Sequence, residues 1–323
     1  MKLFKLRSLV STACLALACS TALAAYPDQA LRLTVGFPAG TGPDVVARTV
    51  GDQLSKELGQ PVVVENKAGA GGQIAAHSVA QSAADGYTLL LGEVGSMSIT
   101  PETTSKLSYA PLKDFDPISE AVRVNFVLVT PPDSPYKTLK QFIEAARTSK
   151  ESFNIATFGA GTPGHFGAEM MAEAAGFKIL PIHYRSTGDA VSAIIGGQVQ
   201  AAFITTAMAS TQVAGGKMGA LAITGEQRSA ILPNIPTFQE AGLSDVNFGA
   251  WFAFFSPDGT PANIIDTLNK GIVNALKEPK VRKVLEDAGF VIIGSSPQAT
   301  KQLMIDEQER WSAVVKKTGF KID

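Results

Sequence analysis

Short apolar runs and longer stretches of helical periodicity alternate along almost the whole chain. LRLTV at 31–35 precedes a segment over 44–58 in which apolar residues return every three to four positions. PVVVEN follows at 61–66, then a glycine-rich turn, Gly69-Ala70-Gly71-Gly72, and a second helical pattern, QIAAHSVAQSA. Asp85-Gly86 is a turn signal, and the YTLLLG run behind it lacks the polar alternation of a half-exposed strand. Strands buried on both faces belong to parallel sheets covered by helices. FVLVTP, FNIATF, QAAFI and GALAIT read as further strands, and KTLKQFIEAARTS, FGAEMMAEAAG and TGDAVSAIIGG as further helices. The pattern predicts an α/β fold.

The order of the elements predicts two lobes. About 300 residues exceed one small core, and two units of roughly 100–150 residues each are expected. The first βα series ends near Val122 to Phe126, and a second runs to about Asn247. FGAWFAFFSPDGTP then leads into helical patterns at 261–277, 279–288 and 297–317 that bring no sheet of their own. These late helices are expected to return to the first lobe. That gives 26–125 plus 248–323 as lobe 1 and 126–247 as lobe 2, each a mixed or mostly parallel sheet flanked by helices. Two hinge crossings are the layout of a cleft that closes on a ligand.

The first 25 residues read as an export signal rather than as part of the fold. Lys2, Lys5 and Arg7 form a basic start, Leu9 to Ala18 is too short to span a bilayer, and Ala22-Leu23-Ala24 fits a small-x-small cleavage site. A mature chain beginning at Ala25 or Tyr26 is expected in the periplasm. Lipid anchoring at Cys19 is the weaker reading, because Ala16 stands where a lipobox usually carries Leu. Cys14 and Cys19 both lie inside the signal, so no disulfide is expected in the mature protein. Removing the signal leaves 25 basic against 29 acidic residues, a net charge of −4 without a Lys/Arg cluster. No nucleic-acid partner is expected from such a surface.

Two glycine-rich turns occupy matching places, each between a strand-like run and a helix-like run. The first is Gly36-Phe37-Pro38-Ala39-Gly40-Thr41-Gly42-Pro43-Asp44; the second is Thr157-Phe158-Gly159-Ala160-Gly161-Thr162-Pro163-Gly164-His165. Turns of this kind aim backbone N–H groups, at the positive end of a helix dipole, toward one point. Neither contains Lys or Arg. The expected occupant is a small carboxylate that is held and released. Ala39, Gly40 and Thr41 are expected to donate in the first turn, with Asp44 as helix N-cap. Thr157, Gly159, Ala160, Gly161, Thr162 and His165 are the counterparts in the second. Ser96, after YTLLLG, and Thr205-Thr206, after QAAFI, sit where strand ends line the cleft of an open α/β sheet.

Competing chemistries fit less well. Gly159, Gly161 and Gly164 form a G-x-G-x-x-G, yet KILPIHYRS supplies no acidic residue at the end of the next strand for a ribose. His165 stands where a P-loop needs Lys. Ser96 lacks the second glycine of a nucleophile elbow, and the three histidines have no metal-ligand spacing. No catalysis, cofactor or metal is expected. A nucleotide-dependent oxidoreductase or another enzyme on the same scaffold is the alternative, and a solute sensor in signalling is a third reading.

Several blocks carry a family resemblance over almost the whole mature chain. LRLTVGFPAGTGPDVVAR, VVVENKAGAGGQIAA with DGYTLLLG, FGAGTPGHF, YRSTGDAVSAIIGGQVQAAF and RSAILPNIPTFQEAGL are similar to signatures of the extracytoplasmic solute receptors of tripartite tricarboxylate transporters, the Bug receptors. The resemblance implies a monomeric two-lobed receptor of the Venus-flytrap type, type II-like, which hands a mono-, di- or tricarboxylate, aliphatic or aromatic, to membrane transporter subunits. It also implies that the acid is gripped between the two glycine turns, largely by backbone groups and ordered water. Thr41 stands where the family usually repeats Gly, and Tyr184-Arg185-Ser186 where it often has Tyr-Lys-Gly.

Overall fold

The computed structural model describes residues 26–184 and 187–322; the expected export signal at 1–25 and the Arg185-Ser186 departure lie outside the described residues. The chain opens with β1 (Leu31–Val35), α1 (Gly42–Leu58), β2 (Val62–Asn66), α2 (Gln73–Ala80) and β3 (Thr88–Glu93). β1 pairs in parallel with β2 and with β3, and the helices cover the sheet, as expected for strands with two buried faces. After a π-helical turn (Gly95–Ile99) and two four-residue helices comes β4 (Phe115–Thr130), a 16-residue strand.

The second βα series is α3 (Leu139–Thr148), β5 (Phe153–Thr157), α4 (Pro163–Ala175), β6 (Ile179–His183), α5 (Thr187–Ile195), β7 (Ala201–Thr205), α6 (Thr206–Ala214) and β8 (Gly219–Ile223). β9 (Gly249–Pro257), α7 (Ala262–Lys277), α8 (Pro279–Asp287), β10 (Phe290–Ile292) and α9 (Pro297–Thr318) complete the chain. The strands run in the order β2-β1-β3-β9-β4-β7-β5-β6, with β10 and β8 also on β4.

One strand joins the two lobes. The first part of β4 pairs antiparallel with β9, from Phe115↔Pro257 to Asn125↔Gly249. The remainder pairs antiparallel with β7, starting at Phe126↔Thr205, and with β8. Phe126 stacks on Phe248 at 5.5 Å between ring centres, so the outgoing and returning passages touch. Helix α7 packs on the first βα series and on β4. Gly271 of α7 sits against Leu54 of α1, and Asn269 donates to the Ile118 carbonyl of β4 at 2.8 Å.

The pairing senses fix which ends of the sheets face each other. β3 is antiparallel to β9 and β9 to β4, so β3, and β1 and β2 with it, run in the direction of β4 toward lobe 2. β7 is antiparallel to β4, and β5 and β6 are parallel to β7, so these three run toward lobe 1. The carboxyl ends of both parallel sets therefore converge on the 125–126 passage. In open α/β sheets that is the edge where ligands bind.

Candidate ligand-binding site

The loops at this convergence are the two glycine turns, the strand ends at Glu93 and Thr205, and the edge-strand ends Asn66 and His183. The turns have one backbone design. Gly40 has φ 81° and Gly161 has φ 73°, left-handed values that a Cβ disfavours. The next residue is the helix N-cap in both cases: Thr41 (φ −82°, ψ 166°) and Thr162 (φ −93°, ψ 161°), each followed by Pro in the first helical turn. The third helical position reaches back to the glycine. Asp44 Oδ2 accepts the Gly40 amide at 2.9 Å, and His165 Nδ1 accepts the Gly161 amide at 3.1 Å.

Two expectations change here. Asp44 is not the N-cap; Thr41 takes that place, and Asp44 works like the back-reaching acid of a capping box. The amides of Gly40 and Gly161 are also not free for a ligand, being held by those side chains. The Thr41 amide makes a stretched 3.3 Å bond to the Pro38 carbonyl, to which its hydroxyl also donates at 2.7 Å, and its carbonyl accepts the Val45 amide at 3.0 Å.

The two reaching-back groups differ in charge. Burial opposes ionisation of Asp44. Hydrogen bonds from Arg48, the Gly40 amide and Asn66 outweigh that and hold its carboxyl down at about 2. Arg48 Nε lies 3.0 Å from Oδ2, and Asn66 Nδ2 donates to Oδ1 at 2.8 Å and to the Phe37 carbonyl at 3.0 Å. The ion pair leaves the α1 end without net side-chain charge, so the helix dipole and the backbone remain to favour an anion. His165 is 4 % exposed, packed on Phe166, His183 and Phe320 at ring separations of 4.9, 4.6 and 5.0 Å. Burial, reinforced by His183, lowers its pKa to about 4, so the imidazole is neutral at neutral pH. Its proton then sits on Nε2, because Nδ1 is the acceptor.

The other expected residues divide by exposure. Ala39, Gly40 and Ala160 lie open, and Thr41, Gly159, Gly161, Thr162 and Thr205 are half-buried. Thr162 is fully occupied: its hydroxyl donates to the Gly159 carbonyl at 2.9 Å and accepts the His165 amide at 3.4 Å. Ser96 is buried. Its amide donates to Glu93 Oε1 at 2.7 Å, and its hydroxyl turns back to the Glu93 carbonyl at 3.2 Å. Burial raises the Glu93 pKa, and the Gly95 and Ser96 amides partly offset the effect. Thr206 is buried as well, with its hydroxyl on the Asn125 carbonyl at 2.8 Å, where it secures the lobe passage. The buried Thr157 hydroxyl lies 2.6 Å from His183 Nδ1.

Sequence reading left three participants out. Asn66 and His183 end the edge strands β2 and β6, in register with the last residues of β1 and β5 (Val35↔Asn66, Thr157↔His183). Their common signal, a polar residue closing an apolar strand beside a glycine turn, is visible in PVVVEN and LPIH. The third is the tail. The Ile322 amide donates to the Thr103 carbonyl at 2.9 Å, and Phe320 and Ile322 pack against Gly161. No sequence signal marks that contact. Among the described residues no cluster of three His, Cys, Asp or Glu could hold a metal, and no helix is long and apolar enough to cross a membrane.

Comparison with known proteins gives one answer. Residues 46–320 match the family model of the tripartite tricarboxylate transporter family receptor. Protein BugT of Bordetella pertussis is 34% identical over 298 residues, covering 92% of this chain and 91% of BugT. The structure of periplasmic binding protein BugD superposes with a TM-score of 0.77 at 31% identity, over 92% of this chain and 99% of BugD. MatC from Rhodopseudomonas palustris, solved with bound malate, superposes with a TM-score of 0.76 at 32% identity, over 90% of this chain and all of MatC.

Proposed function

This chain belongs to the tripartite tricarboxylate transporter receptor family, and from that membership we propose that it is a periplasmic receptor, not an enzyme, which captures a small organic acid between its lobes and delivers it to a tripartite membrane transporter. The observation that carries the reading is the convergence of both parallel strand sets on one interlobe edge, with a glycine turn and a helix N-terminus from each side. Two dipole ends and backbone donors suit a carboxylate at each end of the ligand. The bound malate of MatC supports a short aliphatic dicarboxylate as the ligand class. Preformed polar groups lower the cost of ordering a site on binding.

Within this proposal the open Ala39 and Ala160 amides and the Thr205 hydroxyl contact the acid, while the Thr41 hydroxyl, spent on the Pro38 carbonyl, fixes the first turn. Asp44, His165, Thr162 and Ser96 shape the turns from behind. The passages at 125–126 and 247–248 act as the hinge between 26–125 plus 248–323 and 126–247, supported by the change of partners along β4. Export by a cleaved signal at 1–25 and a monomeric mature protein complete the proposal. It is tested by isothermal titration of the mature chain with malate, succinate, adipate, citrate, aspartate and NAD(H). Saturable binding of one or more of the acids supports it; binding of NAD(H) alone returns the second turn to a nucleotide.

A further inference from the structure

The proposed function gives His183 no contact with the acid, yet its ring is fixed from two sides. The end of β6 is exposed to solvent, and exposed histidines ordinarily keep rotamer freedom. Here Nδ1 lies 2.6 Å from the hydroxyl of Thr157, which is 1 % exposed. The edge-to-face contact with the buried His165 ring, at 4.6 Å and 81°, holds the plane. A buried hydroxyl must place its proton on an acceptor or bear the cost of an unmade bond. Among the described residues, His183 Nδ1 is the acceptor within reach of Thr157. The ring is therefore a neutral Nε2–H tautomer, with its donor on the side away from Thr157. Burial lowers the His183 pKa, in keeping with a neutral ring.

The first lobe shows what this position does when it is closed. Asn66, in the equivalent register, spends its side chain on Asp44 and Phe37. His183 meets the second turn through the Thr157 hydroxyl and the His165 ring but returns no donor to it; the bond from Thr157 orients the ring, and among the described residues nothing accepts its Nε2–H at the interlobe edge. We infer that His183 donates its Nε2–H to a carboxylate of the bound acid and sets which acids fit lobe 2, with Thr157 as the positioning residue that selects the tautomer. The inference rests on the carboxylate-receptor reading above and specifies one side-chain donor for it.

The test uses the mature protein with malate and adipate as probes. Titrations are run on wild type, His183→Gln, His183→Leu and Thr157→Val. Long-range 1H–15N spectra of the histidine rings accompany the wild-type and Thr157→Val titrations. A lost hydrogen bond to a charged group corresponds to about a 10- to 100-fold weaker Kd, expected for His183→Leu. His183→Gln, whose amide can place a donor near the same point, stays within about 3-fold. Thr157→Val loses the single Nε2–H tautomer, a spectral change that a packing defect elsewhere would not produce. In wild type, acid shifts the His183 Nε2 resonance.

Unchanged affinity in His183→Leu, or a wild-type Nε2 resonance that ignores saturating acid, overturns the inference while the receptor reading stands. If wild type binds none of malate, succinate, adipate, citrate and aspartate, the receptor reading itself fails. Should His183→Leu not fold, the wild-type resonance and the Gln variant decide the matter.

Discussion

Lowering the pH should loosen the second turn through His165, by an amount set by how far burial lowers its pKa. In the folded protein the ring is neutral, buried and accepting the Gly161 amide, with a pKa of about 4 against an ordinary 6.5. The unfolded chain therefore binds a proton between these values that the folded chain does not. Stability then rises with pH across the window and falls as pH drops from about 6.5 toward 4, levelling off below. Each pH unit in mid-window is worth about 1.4 kcal/mol, so going from pH 7 to 4.5 costs about 2 kcal/mol from this residue alone. His183, lowered by burial, adds in the same direction. Glu93, raised by burial, opposes it as carboxylates begin to protonate.

A difference isolates the term. Urea denaturation of wild type and His165→Phe at pH 7 and 4.5 should show wild type losing about 2 kcal/mol more than the variant over that interval. An NMR titration of the His165 ring should place its midpoint near 4. Equal pH sensitivity in the two proteins, or a midpoint near 6.5, would falsify the assignment of a buried, neutral acceptor.

Other perturbations give separate readings. Gly161→Val forces a branched residue to φ 73°, where a Cβ would touch Phe320 and Ile322 at 3.4 Å; the backbone cost is about 1–2 kcal/mol or more, and acid affinity should fall at least 10-fold with the fold retained by circular dichroism. Thr41→Val, losing the hydroxyl bond to Pro38, should weaken binding with a smaller change in melting temperature. The stability gained from Asp44, whose pKa is held at about 2, is present above the ordinary carboxylate range and vanishes as pH falls through 2; Asp44→Asn should flatten that acid limb in denaturation curves. Glu93→Ala leaves the Gly95 and Ser96 amides without their acceptor and should destabilise by about 1–3 kcal/mol for each that stays buried, measured by chemical denaturation.

The parallel half of each sheet was legible because TLLLG and AAFI are apolar without alternation, LRLTV has a strand's two-residue period, and glycine turns follow LRLTV and FNIAT before the next helices. The first part of β4 was not. Asp116, Pro117, Glu120 and Arg123 interrupt its hydrophobic run; the structure neutralises that by pairing Glu120 with Arg123 and flanking the strand with β9. β10, three residues long, carries no period at all. In the site, the positions of the turns were readable from glycine spacing. The partners of their amides were not, because Asp44 and His165 act through a reach-back geometry that depends on Thr41 and Thr162 being the caps. The tail contact of Phe320 and Ile322 joins residues about 160 positions apart and leaves no local trace.

The central claim is that an organic acid sits between the two glycine turns. Amide hydrogen exchange, read by mass spectrometry on the mature protein with and without saturating malate or whichever acid binds, addresses it directly. The account predicts added protection in peptides covering 36–44 and 157–165 together, and at the 125–126 and 247–248 passages as the lobes close. Protection confined to one turn, or to a surface remote from both, would contradict it.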